Sequence, residues 1–513
     1  MSTTLTSLTT LGELKEQGYR TRPVKDEMRA NLMRALKNGT TVFEGIIGYD
    51  DSVIPQIQNA ILGRHDMILL GLRGQAKSRI IRMLPRLLDE YVPVIKGSEL
   101  NDDPFSPISK HGRDLIDEHG DDTPIAWLHR SARYGEKLAT PDTSIADLIG
   151  DIDPIKAANK RLSYADEEVI HFGIIPRTNR GIFAINELPD LQPRIQVGLL
   201  NIMEEQDIQI RGFNIRFPLD LMMVFSANPE DYTHRGNLIT PLKDRIDSQI
   251  LTHYPRTVEV GIEITKQEAW QDRADGSDGV KVHVPHFFRE IVEQIAFEAR
   301  QSEYIDQKSG VSARMTRTAL EDLISAAERR ALLHGEKTTT TRITDLMHVE
   351  PAITGKVELV YEGEQEGPRN VARMLIGRAV RSIFTRYFPD PTDKENGRQA
   401  FKDVLNWFSK GNHLDLVPDL SFHDYAKRLD RVEGLRDVVK EHTTPSGPEE
   451  TATSMEFVLE ALHQNSLIGK DFLKGGGSAY SDIMGSVLSS LGSMDEDDFD
   501  DEDDDDDLFR SYR

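Results

Sequence analysis

The sequence of 513 residues contains no cysteine, which excludes disulfide bonds, thiolate catalysis and cysteine-based zinc sites. It also lacks any apolar run close to the ~20 residues that a membrane-spanning helix needs. Residues 1–6 show neither the charged nor the apolar region of a signal peptide. We therefore expect a soluble protein that is not secreted, and a cytoplasmic location fits the absence of cysteine.

Positive charge is scarce in this chain. Lys and Arg number 62 against 86 Asp and Glu residues, the formal net charge is −24, and carboxylates fill all but one position of residues 495–507. Proteins that bind nucleic acid without sequence preference usually carry a basic patch or stripe, so this composition disfavours nucleic acid as a partner. A DNA motor would need a local basic pore loop, which salt-dependent DNA binding would reveal.

Two further kinds of site lack their residues. The scattered histidines, including His283 and His286, form no i, i+4 pair and have no carboxylate set at ligand spacing, so we expect no structural metal. No G-x-S-x-G segment is present, which leaves serine hydrolase chemistry without support.

A phosphate-binding loop is predicted directly after the apolar segment Met67 to Leu70. Gly71, Lys77 and Ser78 occupy fixed positions of the motif G-x-x-x-x-G-K-[ST]. In this motif the turn amides bind phosphate oxygens, the lysine reaches the β- and γ-phosphates, and the hydroxyl coordinates Mg²⁺. The predicted nucleotide-binding residues of the segment are Gly71, Arg73, Gly74, Gln75, Ala76, Lys77, Ser78 and Arg79.

The second glycine of this motif is replaced by Ala76. If the backbone at that position is left-handed, alanine costs about 1–2 kcal/mol more than glycine. We expect phosphate binding to be weakened by this replacement but not abolished.

The apolar segment 181–185 ends in Asn186 and Glu187. In P-loop ATPases an acidic pair at this point steadies Mg²⁺ with its first residue and polarises the attacking water with its second. Glu187 therefore has the position of the catalytic base, whereas Asn186 replaces the usual aspartate. The predicted metal-binding residues are Ser78 and Asn186. Loss of a carboxylate removes an attraction of a few kcal/mol at an effective dielectric of about 20, which reduces Mg²⁺ affinity or turnover.

Three further polar residues are candidates for the same site. Asn228 follows the apolar segment 221–226 and has the position to orient the attacking water, although Asn-Pro is also a common turn former. Arg245 is a candidate for a finger that neutralises γ-phosphate charge from a neighbouring subunit, although an arginine beside aspartates is usually a surface pair. Arg314 opens an amphipathic helix and is a candidate second contact to the phosphates.

In their order and spacing these segments resemble the AAA+ family, and within it the magnesium chelatase I-subunit and MoxR branch. The resemblance spans residues 43–353. The segments that carry it are Gly45–Asp50, Gly71–Ser78, Leu148–Asp153, Thr178–Glu187, Ser226–Glu230, Leu242–Arg245 and Gly310–Arg314. It implies an α/β fold with an AAA+ P-loop αβα core and a parallel sheet, followed by a helical lid and a further helical region.

The resemblance also implies roles for individual residues and for partners. The cofactors would be ATP and Mg²⁺, and the chain would assemble into a ring, most often a hexamer. Relatives of this branch commonly work with a partner that carries a von Willebrand A domain. The implied roles are phosphate and Mg²⁺ binding for Lys77 and Ser78, catalytic base for Glu187, first sensor for Asn228, finger acting in trans for Arg245, and second sensor for Arg314.

The pattern along the chain predicts five divisions. They are an N-terminal helical lead-in over 1–40, the ATPase core over 41–255, a helical lid over 256–355, an additional helical region over 356–470, and a glycine linker with a disordered acidic tail over 471–513. An alternating segment that turns at Gly212, residues 208–217, suits the hairpin that this branch carries before the first sensor.

The leading hypothesis is an ATP-driven ring motor that remodels or activates a partner protein. One alternative is a nucleotide-gated scaffold with weak or no hydrolysis, which Ala76 and Asn186 motivate. Another is the motor subunit of a magnesium chelatase proper, for which no residue recognisably binds porphyrin. Neither the client nor the ring's subunit number can be derived from the sequence.

Overall fold

The computed structural model describes residues 5–155, 159, 167–205, 207–210, 216–229, 238–273, 279–393, 397–473 and 477–483. The predicted acidic tail from 484 onward, residues 474–476 of the predicted linker, the predicted turn at Gly212, and Glu230 lie outside the described residues. The chain divides into two compact units, Met1–Tyr254 and Pro255–Arg513. No helix in the described ranges is both long and apolar enough to cross a membrane.

A five-stranded parallel sheet forms the centre of the first unit. Its strands, numbered along the chain, are β1 Met67–Leu70, β2 Tyr134–Leu138, β3 Gly181–Asn186, β4 Leu221–Ala227 and β5 Ser248–Leu251. They lie in the order β5-β1-β4-β3-β2, and every neighbouring pair is parallel. The strands predicted at 67–71, 181–185 and 221–226 are thereby confirmed.

Both faces of this sheet are covered, which makes it an αβα core. Every residue of β1, β3 and β4 is buried, as expected of parallel strands with helices on both sides. Phe183 of β3 packs in one core with Leu199 of the helix Pro193–Glu204. Its neighbour Ala184 packs in the other core with Ile57 of the helix Val53–Gly63.

Shorter elements complete the first unit. Its other described α-helices are Leu11–Glu16, Val24–Lys37, Lys77–Ile81, Lys110–His119, Ile145–Leu148, Ile174–Arg177 and Thr240–Arg245. Its antiparallel strand pairs are Tyr91–Ile95 with Ile125–His129, Gly150–Ile152 with Ile170–Phe172, and Asp207–Gln209 with Arg216–Pro218. The last of these pairs falls in the segment predicted to form a hairpin before the first sensor.

The second unit is mainly helical and has one hydrophobic core, with members from Phe287 to Tyr480. Its described α-helices are Val258–Glu268, His286–Ala299, Ala313–His334, Glu350–Thr354, Tyr361–Glu366, Pro368–Phe384, Gly397–Ala400, Lys402–Ser409, Phe422–Leu429, Leu435–His442 and Pro448–Gln464. The strands Lys281–His283 and Thr338–Thr340 pair in parallel. The predicted boundary between a lid and an additional helical region at residue 355 stays a prediction.

The residues on either side of 474–476 form strands, whereas the sequence suggests a flexible linker there. Gly469–Leu473 and Gly477–Ser481 form an antiparallel pair, and Leu414–Leu416 adds a third strand on the other side of Gly477–Ser481. Tyr480 is fully buried in this sheet and donates a hydrogen bond to Glu460 at 2.7 Å. Residues 469–473 and 477–481 are therefore part of the folded second unit.

Candidate nucleotide-binding site

The turn after β1 has a backbone suited to binding anions. Gly74 has a φ of 77° and Ala76 a φ of 57°, so both residues lie in the left-handed region on either side of Gln75. Successive N–H groups in such alternating conformations form a concavity that favours negative charge. The condition for backbone strain at Ala76 is therefore met, since the position is one that favours glycine.

Buried side chains from outside the motif hold this turn in place. The hydroxyl of Tyr49 donates to the carbonyl of Gln75 at 3.1 Å and to that of His253 at 2.7 Å. The hydroxyl of Thr252 donates to the side-chain oxygen of Gln75 at 2.7 Å. A Cβ at Gly71 would collide with the side chains of Thr252 and Gln75, so a glycine is required there. Burial raises the pKa of Tyr49 to about 12, which keeps its hydroxyl protonated as a donor.

The predicted phosphate lysine lies inside the turn. Lys77 is only 8% exposed, and its Nζ donates to the carbonyl of Gly71 and, at 3.1 Å, to that of Leu72. Lys77 also begins the short helix Lys77–Ile81, whose next residues, Ser78 and Arg79, are exposed. The ammonium group is thus directed into the loop that is predicted to hold phosphates.

The predicted base follows the end of β3 in an unusual conformation. Glu187 has a φ of 53°, and its backbone N–H donates to the hydroxyl of Ser226 at 3.4 Å. The same hydroxyl donates to the side-chain oxygen of Asn186 at 3.0 Å. Left-handed backbone at residues other than glycine is concentrated at functional sites, where the surroundings hold it in place. Ser226 therefore ties the end of β3 to the neighbouring strand β4.

Glu136 of β2 is a member of this site that the sequence analysis did not predict. Its Oε1 accepts from the amide nitrogen of Asn186 at 2.5 Å and from Arg82 at 3.0 Å. Its Oε2 accepts from Arg82 at 2.9 Å and from the hydroxyl of Tyr134 at 3.1 Å. Burial acts to raise the pKa of Glu136, but the hydrogen bonds from Arg82, Asn186 and Tyr134 outweigh it and lower the pKa below its usual value.

Asn228 directly follows β4, beside the phosphate-binding turn. The N–H of Gly71 donates to the carbonyl of Ala227 at 3.1 Å, so the two strand ends are adjacent. The side-chain oxygen of Asn228 is buried and has no hydrogen-bond partner among the described residues. A buried acceptor without a donor is costly, and a bound water or ligand is the usual explanation.

The two predicted arginines belong to two different helices. Arg245 ends the helix Thr240–Arg245, pairs with Glu204 at 2.7 Å from its Nε, and donates to the carbonyl of Pro241 at 2.9 Å. Arg314 belongs to the second unit, where it lies in the first turn of the helix Ala313–His334 with an exposed side chain.

The geometry fits a nucleoside triphosphate with Mg²⁺. In open parallel sheets ligands bind beyond the carboxyl ends of the strands, which is where the turn, Glu187 and Asn228 meet. Mg²⁺ prefers oxygen ligands and keeps several waters, and the hydroxyl of Ser78 and the amide oxygen of Asn186 are of that type. The orphaned oxygen of Asn228 suits a water molecule that donates to it.

Of the supporting residues, Tyr49 and Ser226 lie in segments that carry the family resemblance but were assigned no role, and Thr252 and Glu136 lie in no motif. Thr252 follows β5 and Glu136 lies in β2, so the pairing of strands in the sheet brings both to the site. Glu136 lies in the segment Tyr134–Leu138, whose alternation is too short to show which side chains face inward. The register in which β2 pairs with β3 would have been needed to find Glu136.

Comparison with known proteins identifies relatives over part of the chain. No protein-family model matches the chain. The magnesium-chelatase 38 kDa subunit of Cereibacter sphaeroides is 27% identical over 238 residues, which cover 44% of this chain and 64% of that protein. The magnesium-chelatase subunit ChlI of Guillardia theta is 26% identical over 251 residues, which cover 48% of this chain and 67% of that protein.

Among solved structures, the complex between subunits BchI and BchD of magnesium chelatase, based on a cryo-EM reconstruction, matches with a TM-score of 0.32. That match is 20% identical and covers 63% of this chain and 98% of the other. Both of these sequence relatives are described as magnesium-chelatase subunits, and the chain spans 64% of the length of the Cereibacter protein. More than half of this chain lies outside the part that is similar to these relatives.

Proposed function

We propose that this chain, a member of the AAA+ family in its magnesium chelatase I-subunit and MoxR branch, binds ATP with Mg²⁺ and hydrolyses it as a motor. The observation that carries the proposal is the meeting of three features at the carboxyl edge of one sheet. These are the left-handed turn with Lys77, the carboxylate of Glu187, and the orphaned oxygen of Asn228.

Each of these residues has a task in phosphoryl transfer. The turn amides and Lys77 bind the phosphates, and bound Mg²⁺ supplies neutralising charge to their oxygens. Asn228 orients a water molecule by accepting one of its protons in a hydrogen bond. Glu187 accepts the second proton of that water as it attacks, as a general base does.

The proposal extends to assembly and to partners. Arg245, which pairs with Glu204 within its own unit, would act on the nucleotide of a neighbouring copy. A finger that acts in trans requires a neighbouring copy, and the family resemblance implies that the copies form a ring, most often a hexamer. We further propose that the motor remodels or activates a partner bearing a von Willebrand A domain, and that residues 256–355 form its lid with Arg314.

A second candidate function is a nucleotide-gated scaffold that assembles on ATP and hydrolyses it poorly. Two observations favour it: the strained backbone of Ala76 and the amide of Asn186 in place of a carboxylate. The presence of Glu187, Asn228 and Arg245 favours the motor, because a site that only binds has no need for all three.

Steady-state ATP hydrolysis by the purified chain tests the proposal. The compared variants are Glu187→Gln and, as a matched control, Glu90→Gln, whose side chain is exposed on the surface of the same unit. We expect turnover by the unmodified chain, its loss in Glu187→Gln with nucleotide binding retained, and no effect of the control. Binding and ATP-dependent assembly without turnover in the unmodified chain would instead establish the scaffold.

A further inference from the structure

The carboxylate missing at Asn186 has a counterpart on the neighbouring strand. Glu136 of β2 pairs in register with Ala184 of β3, and Asn186 lies two residues beyond Ala184. Because side chains alternate along a strand, Glu136, Ala184 and Asn186 share one face of the sheet. Ala184 packs there in the core that includes Ile80 of the helix following the phosphate-binding turn.

The polarity of the hydrogen bonds fixes the amide of Asn186. A carboxylate can only accept, so Glu136 requires the amide nitrogen of Asn186 to face it, at 2.5 Å. The amide oxygen then faces Ser226, whose hydroxyl donates to it at 3.0 Å. That oxygen has a second lone pair, which can accept a further hydrogen bond or coordinate a cation.

The ion pair with Arg82 does not by itself account for Glu136. The side chain of Arg82 is 64% exposed, and pairs with so exposed a partner contribute little to stability. The side chain of Glu136 is only 19% exposed, and besides Arg82 it contacts Asn186, which is buried. The arrangement thus keeps one negative charge next to Asn186 on a strand other than the one where the motif has it.

We propose that Glu136 is a positioning residue of the magnesium site, supplying from β2 the carboxylate charge that Asn186 lacks and holding the amide oxygen of Asn186 toward the metal. This inference rests on the proposed function, because it concerns the same site. It places on β2 the carboxylate that the motif has on β3. Exchanging the two groups should therefore preserve the site, whereas changing one alone should not.

Four versions of the full chain test this exchange: the unmodified chain, Glu136→Gln, Asn186→Asp, and the double variant Glu136→Gln/Asn186→Asp. In the double variant the glutamine amide donates to the new aspartate, so charge and hydrogen bond are both retained. Asn406→Asp and Glu90→Gln, both at exposed positions, control for added and removed charge. The readouts are the Tm of the nucleotide-free protein and the Mg²⁺ concentration that gives half-maximal binding of a fluorescent ADP.

We expect Glu136→Gln to raise the Mg²⁺ midpoint about tenfold, as loss of a supporting group around a metal site commonly does. Asn186→Asp should lower the Tm by a few degrees, because it brings two carboxylates into contact. The double variant should recover both values, and the exposed controls should change neither.

Two results would overturn the inference. One is an unchanged Mg²⁺ midpoint in Glu136→Gln while ADP still binds, and the other is a double variant in which neither the Mg²⁺ midpoint nor the Tm returns toward the value of the unmodified chain. Failure of the proposed function is seen separately, as nucleotide binding without ATP turnover by the unmodified chain, and it leaves this exchange test valid. Absence of nucleotide binding by the unmodified chain would instead overturn both proposals.

Discussion

At the scale of single residues, Ala76 is the position where sequence and backbone conflict most clearly. Its φ of 57° is one that alanine adopts at a cost of about 1–2 kcal/mol. Five non-glycine residues in the described part of the first unit are left-handed, and two of them, Ala76 and Glu187, follow the carboxyl ends of β1 and β3. Such strain persists only where the surrounding contacts over-determine it, as Tyr49 and Thr252 do for this turn.

Ala76→Gly should therefore stabilise the protein. Relief of the left-handed strain favours the variant, and the greater freedom of glycine in the unfolded chain offsets part of it, so we expect a gain of about 0.5–1 kcal/mol in the free energy of unfolding. The matched control is Ala30→Gly in the interior of the helix Val24–Lys37, which should lose about 1 kcal/mol. Denaturant unfolding of both variants measures the difference, and a loss at position 76 would contradict the strain argument.

Motif spacing was enough to predict the candidate residues whose positions depend on local sequence. Lys77 directly follows the phosphate-binding turn, and Glu187 and Asn228 directly follow apolar segments that were predicted as strands of one sheet. Glu136 could not be found in this way, because its contact with Asn186 depends on the pairing of β2 with β3. A sequence motif cannot reveal a site residue whose location depends on strand register, but it can reveal one whose location depends on local sequence.

At the scale of elements, long and strongly patterned segments were predicted well. The amphipathic helix that Arg314 was predicted to open spans Ala313–His334, with Ser312 capping its start and a left-handed Gly335 ending it. Caps are local signals, so the sequence alone specifies them. Residues 471–513 were predicted as a glycine linker with an acidic tail, whereas residues 471–473 and 477–481 lie in strands. The glycines at 475–477 suggest flexibility, and nothing local in the sequence shows that Tyr480 becomes buried.

The strand Gly469–Leu473 is held by a buried ion pair whose loss should be costly. Lys470 and Glu460 lie 2.7 Å apart with side chains only 6% and 7% exposed. Burial acts to raise the pKa of Glu460, but the charge of Lys470 together with the hydrogen bonds from Lys470 and Gln464 outweighs it and lowers the pKa to about 2. Because this value lies below the unfolded value of 4.5, the stabilisation is fully present above pH 4.5 and is lost as the pH falls toward 2.

Lys470→Met should cost about 3–5 kcal/mol at neutral pH, since it leaves the carboxylate of Glu460 buried without its partner. Lys410→Met is the matched control, because Lys410 pairs with Glu433 at 3.4 Å with both side chains more than half exposed. We expect the control to change stability by less than about 1 kcal/mol. Chemical denaturation at pH 7 measures both, and equal effects would show that burial does not decide the strength of these pairs.

At the scale of the whole molecule, the chain folds into two compact units. The first has two cores on either side of its sheet and contains the candidate site, and the second has a separate core of its own. The α/β fold and its parallel sheet could be predicted because short apolar runs and helical patterns alternate many times along the chain, and the structure confirms both. The assembly of several chains is not encoded in such patterns, so the ring stays a proposal.

The ring proposal is testable by mixing two inactive variants, Glu187→Gln and Arg245→Ala. In a ring where Arg245 acts in trans, a site formed by an Arg245→Ala subunit and an adjacent Glu187→Gln subunit has both an intact base and an intact finger. Random mixing in equal amounts should create such a site at about one quarter of the interfaces and so restore a corresponding share of ATP turnover.

The mixture distinguishes a trans finger from an arginine that supports its own subunit. Arg245 pairs with Glu204 within one chain, so a structural role would also make Arg245→Ala inactive. A subunit disabled in that way cannot be rescued by its neighbour, and the mixture would then remain as inactive as its components. The steady-state rate as a function of mixing ratio, measured under conditions where subunits exchange, therefore decides whether this chain builds its catalytic sites between copies, because only shared sites give a maximum at intermediate ratios.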